Sequence, residues 1–138
     1  MSVIQLLVLD ANRRPEVADI AERAQSEQTP YVAHDADLAV HTGFLPVTIG
    51  QRETGFEYYF EPIEEGQLPP EAIRFGTHQI IARTGSDMVE MFASMLFLRT
   101  AANLSGAAYV YPDDGIIVPP EGVDAYLSEQ IDQVQKFI

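Results

Sequence analysis

Apolar and polar positions change period several times along the chain, and each change marks an element. Residues 3-VIQLLVL-9 form an apolar run of strand length with apolar side chains on both faces, which predicts a central strand. Asp10 and Asn12 then offer N-cap chemistry, and Pro15 suits a first helical turn. From Pro15 to about Ser26, Val17, Ile20, Ala21 and Ala24 recur at i, i+3, i+4 and i+7. Glu16, Asp19, Glu22 and Arg23 fall outward, so the stretch predicts a one-sided helix that Thr29-Pro30 ends.

The stretch 34-HDADLAVH-41 holds two of the chain's three histidines. On a helix, His34, Asp37 and His41 would share a face and offer a metal triad. On a strand, His34 and His41 would point apart, because their spacing of seven is odd. Ala36, Leu38 and Val40 alternate with Asp35, Asp37, Ala39 and His41, and Pro30 and Gly43 bound the run. Period two predicts a strand with Leu38 and Val40 inward, Asp35, Asp37 and His41 outward, and no metal site.

Two further strands, Leu45 to Ile49 and Phe56 to Glu61, are separated by 50-GQRETG-55, a hairpin connection. In the second, Phe56, Tyr58 and Phe60 are expected on the core face, and Glu57, Tyr59 and Glu61 on a wet, acidic one. The composition of 62-PIEEGQLPPE-71 predicts a loop, and a strand from about Ile73 to Arg83 follows, with Gly76 as a bulge. Residues 88-MVEMFASMLFLRTAANL-104 are apolar nearly all round, which predicts a central helix capped by Ser86 or Asp87 and stopped at Gly106. A strand at 107-AAYVY-111, a Pro112–Gly115 turn, a short 116-IIV-118 run and a final helix from about Glu121 to Phe137 complete the chain. Val123, Tyr126, Leu127, Ile131 and Val134 give that helix its stripe.

The order β-α-β-β-β-β-α-β-β-α predicts an α+β fold in one domain spanning 1–138. Its expected sheet is single and antiparallel, of five to six strands, with helices packed on it and a ferredoxin-like, split βαβ core. The apolar helix falls short of a clean membrane span, and the N-terminus reads as a strand and not as a signal peptide.

Charge and chemistry narrow the function. Twenty-one acids stand against 8 bases, a net charge of −13, which argues against nucleic acid and anionic membranes as partners. The same charge suits a basic protein partner, since complementary potentials speed association. There is no cysteine, so thiol chemistry and cysteine-based metal sites are excluded, and a cytoplasmic location is expected. Lys136 is the only lysine, which leaves almost no candidate for Schiff-base chemistry. No nucleophile-elbow, phosphate-loop, dinucleotide or zincin motif is present. Asp113 and Asp114 sit in a Pro-Asp-Asp-Gly context that turn formation explains, and His78 reads as structural. No catalytic residue, metal or cofactor is expected. The candidate binding surface is Arg52, Glu53, Glu57, Tyr59 and Glu61, because an exposed tyrosine among acids supplies contact area at low entropic cost.

The run 43-GFLPVTIGQRETGFEYYFEP-62, followed by a strand, a very apolar helix and the 106-GAAYVYPDDG-115 turn, resembles small bacterial proteins, some of which look like immunity proteins of toxin systems. The resemblance covers about residues 43–114 and rests on structural motifs, so it carries over no active-site residue. It implies a non-enzymatic module that masks a basic protein. Two other readings stand beside it: a small enzyme or small-molecule binder using the carboxylates beside the sheet, and a homodimer built on the Tyr59 face.

Overall fold

A computed structural model describes residues 2–138. Its centre is β1 (Val3–Leu9), whose apolar run is buried on both faces because strands pair on each side and material covers each face. The chain then forms α1 (Val17–Gln25), β2 (Val32–Ala33), β3 (Gly43–Ile49), β4 (Arg52–Pro62), α2 (Pro70–Ile73), β5 (His78–Thr84), α3 (Met88–Ser105), β6 (Ala108–Tyr111), β7 (Ile116–Val118) and α4 (Val123–Gln135). The strands make one sheet in the order β2-β3-β4-β5-β1-β6-β7, and every pairing is antiparallel.

The α+β class and the single antiparallel sheet therefore hold, while the strand count rises to seven. β5 and β6 each run antiparallel to β1, so they are parallel to one another on its two sides and are joined through α3.

On one face the core is built around α3, which is buried on nearly all sides as its sequence predicts. Asp87 caps it by accepting from Val89 N at 2.8 Å, and Gly106, with φ of 72°, closes it. Phe97 of α3 packs against Phe56 and, edge-on, Tyr58 of β4, at ring separations of 5.2 and 6.0 Å. The stripe Val123, Leu127, Ile131 and Val134 seats α4 beside α3, and Ile20 and Ala24 seat α1. The cap of α1 is Glu16, boxed with Asp19, and not Asp10 or Asn12. Asp10 accepts instead from the Thr77 amide, tying the end of β1 to the 63–77 segment.

That segment covers the other face. Ile63, Leu68, Ala72 and Phe75 lie over Leu6, Val8, Ala108 and Val110, forming a second, smaller core. Here the predicted strand from Ile73 fails: Pro70 starts a short helix that ends at Ile73, and β5 begins only at His78. Gly76 is no bulge; the segment passes so close to β1 that a Cβ at Gly76 would run into the Leu9 backbone.

The stretch 34-HDADLAVH-41 forms no strand. Only Val32 and Ala33 pair, with Thr48 and Val47, and the chain then turns over residues 38–40. Asp37 accepts from the Ala39 amide with its side chain and from Val40 and His41 with its carbonyl. Leu38 is fully buried and Val40 is 72% exposed, so the two do not share a face. Alternation was imitated by a turn that drops one leucine into the core.

Candidate functional site

The β3–β4 hairpin carries the predicted surface. Its loop is Gly50-Gln51, shorter than predicted, so Arg52 and Glu53 begin β4 instead of lying in the turn. Gly50, with φ of 61°, stands first of the two loop residues, the position a type II′ turn reserves for glycine. The register then sends alternate β4 side chains to opposite faces. Arg52 shares the helix-facing side with Phe56 and Tyr58, and with Val89 and Phe92 it lines a cleft of about 630 Å³. Glu53, Glu57, Tyr59 and Glu61 share the outer side. The structure thus brings four of the five predicted residues together and separates Arg52 from them.

Cross-strand neighbours complete the outer surface. Phe44 stands opposite Glu57, Arg83 stands beside Glu57 on the other side, and Ile4 stands opposite Arg83. Phe44 is 54% exposed, Val32 47% and Ile4 37%. The Phe44 ring lies over Gly55, where a Cβ would collide with it. Tyr59 donates to Glu57 Oε1 at 2.7 Å, and that hydrogen bond, more than any other effect, raises the Tyr59 phenol above its ordinary pKa. Its hydroxyl stays a neutral donor with a fixed direction. Arg83 donates to Ser2 Oγ at 3.1 and 3.3 Å. A shallow groove of about 320 Å³ continues the surface, walled by His34, Phe44, Pro46, Thr48 and Glu53.

This surface is bare because the 63–77 segment covers only the β5, β1 and β6 part of the outer face. Antiparallel sheets ordinarily put polar residues on a solvated face. Here aromatic and aliphatic side chains sit among carboxylates instead, as in the core and rim of an interface. Phe44, Val32 and Ile4 were missed in the sequence, although an aromatic at an outward position of 43-GFLPVTI-49 is a readable signal once Leu45 and Val47 are placed inward.

The other polar candidates resolve into structural roles. His34 Nε2 pairs with Thr48 Oγ1 at 3.0 Å, and His41 Nε2 donates to the Phe44 carbonyl at 2.9 Å. The two imidazoles stabilise the edge hairpin and share no ligand. No group of three or more histidine and carboxylate side chains suited to a metal ion occurs among the described residues. His78 stacks on Phe60 at 5.3 Å and bonds Thr77 Oγ1, while Arg14 lies over the Phe60 ring. Asp113 and Asp114 lie in an exposed turn closed by the Gly115 amide on the Pro112 carbonyl. No helix among the described residues is long and apolar enough to cross a membrane. No protein-family model, no curated protein and no solved structure matches this chain.

Proposed function

We propose that this chain is a non-enzymatic binding module of the bacterial cytoplasm that masks a basic surface on another protein, as an immunity protein does. The observation that carries the proposal is the uncovered outer face of β2–β4. There Phe44 and Tyr59 stand among Glu53, Glu57 and Glu61, on a molecule of net charge −13. Aromatic anchors supply the buried contact, and the carboxylates supply attraction and selectivity for positive charge. Self-association through the same face is disfavoured, because it would set carboxylates against carboxylates.

The test is capture of a partner from the native host by the purified protein, repeated with F44D and with the pair E57K and E61K. Support requires a basic partner whose capture weakens at least tenfold in both variants and falls steeply with added salt. A partner bound equally well by both variants would sink the proposal. So would a dimer of this chain that F44D dissolves.

A further inference from the structure

A second hollow lies on the helix-covered side of the sheet, apart from that face. A cleft of about 360 Å³ opens between α3, α4 and the β6–β7 hairpin. Met88, Met91, Met95, Tyr109, Tyr111 and Tyr126 line it, three of the four methionines and three of the six tyrosines of the chain. Such a concentration of thioether and aromatic surface gives a wall that is apolar and polarizable but rich in negative π density. The Tyr109 and Tyr126 rings stand 5.5 Å apart and tilted by 42°, so the aromatic wall is angled and not flat.

Its polar groups are arranged with equal economy. Gln5, at the floor, donates to Ser94 Oγ at 2.9 Å and accepts from the Tyr109 hydroxyl at 2.8 Å. Its amide is occupied internally and holds the Tyr109 ring in place. Among the described residues, Asp114, at the mouth, is the one charged residue lining the cleft. Its field reaches both Tyr111 and Tyr126, whose phenols it helps to raise behind the larger effect of burial. Among the described residues no lysine or arginine lines the cleft, and the net charge of −13 repels anions.

We propose that this cleft binds a small organic cation, an alkylated ammonium group whose methyl or methylene surface meets the methionines and tyrosines and whose charge faces Asp114. A metal ion would find a single carboxylate, beside the neutral Gln130 amide. A purely apolar ligand would leave the Asp114 charge unused, and an anion would meet it directly. The hollow has the size of a small ligand site.

The probe is choline, against its uncharged isostere in which carbon replaces nitrogen, read by the carbon-13 methyl resonances of methionine in the full chain. Choline is expected to move the Met88, Met91 and Met95 methyls saturably, with affinity about tenfold above that of the isostere. D114N, in an exposed turn outside the core, is expected to erase most of that difference with the methyl spectrum otherwise unchanged. Tyr126→Leu, which keeps apolar bulk and removes the ring, is expected to weaken choline about fivefold and leave the isostere unaffected. Methyl resonances that ignore choline, or an isostere that binds as tightly, would overturn the proposal.

Discussion

Raising the pH above the ordinary tyrosine range should unfold this protein, and three phenols should set the slope. Burial pushes the hydroxyls of Tyr31, Tyr58 and Tyr109 far above the usual pKa of about 10. In each case the hydroxyl donates to an internal acceptor. Tyr58 donates to the Leu38 carbonyl at 2.6 Å, Tyr109 to Gln5 Oε1 at 2.8 Å and Tyr31 to Thr100 Oγ1 at 2.7 Å. The first two acceptors are carbonyl oxygens, which cannot donate back to a phenolate. Unfolding frees these groups to ionise near their ordinary value. Above about pH 10 the unfolded chain therefore binds fewer protons than the native one, and stability falls as pH rises. Below that pH both states hold the protons and the effect vanishes. One pKa unit is worth about 1.4 kcal/mol, so three phenols give a loss of about 4 kcal/mol per pH unit. A domain with a stability of about 5–15 kcal/mol would reach its alkaline midpoint within one to a few units above pH 10.

The sequence keeps the measurement free of competing titrations. With no cysteine and one lysine, tyrosines dominate the titration between about pH 9 and about pH 12. Urea unfolding at a series of alkaline pH values gives the slope, and tyrosinate absorbance shows whether ionisation and unfolding coincide. Tyr109→Phe should reduce the slope by about 1.4 kcal/mol per pH unit, one group's share, while costing about 1 kcal/mol at neutral pH for the lost hydrogen bond. A flat stability profile through this range would refute the reasoning. So would tyrosinate absorbance that develops fully while the protein stays folded.

Three other perturbations test the packing. Gln79 is fully buried, and neither end of its amide has a protein partner; Gln79→Met should raise the unfolding free energy by about 1–2 kcal/mol, read as a higher urea midpoint, and a lower midpoint would contradict this. Glu27 holds Arg99 at 3.4 Å and accepts from Thr100, with the two charged side chains 14% and 10% exposed. Glu27→Ala should cost about 3 kcal/mol in a thermal melt, and the joint change E27L and R99M should recover most of it. Gly76→Ala should force the 63–77 segment off the end of β1, lowering stability by more than about 1 kcal/mol and opening its amides to hydrogen exchange; an unchanged exchange pattern would count against that close approach.

Elements specified by one strong period were legible in the sequence. The 88–104 run, apolar on every side, could only be a central helix, and α3 is buried along most of its length. Phe56 and Tyr58 are inward because alternation across β4 leaves them no other place. Failures came where short-range polar chemistry competes with period. Asp37 closes its own turn, and the alternating letters around it described no strand. The 63–77 segment has no period at all, yet its four apolar side chains seal half a sheet. Loops become cores when their scattered apolar residues meet a matching surface, which depends on contacts far away in the chain.

The candidate face was half legible for the same reason. Periodicity alone places Glu57, Tyr59 and Glu61 on one side of β4, and the same rule applied to Arg52 removes it from them. Whether that side faces water is a different question, answered by where the covering segment stops. It stops over β5, β1 and β6, and the strands beyond keep an aromatic, carboxylate-bordered surface. Leaving Phe44 and Val32 in water gains nothing for folding, since a side chain turned outward gives up the burial that would stabilise it. How the chain folds therefore does not account for a hairpin presenting Phe44, Tyr59 and three glutamates, and the proposed partner would supply the missing burial.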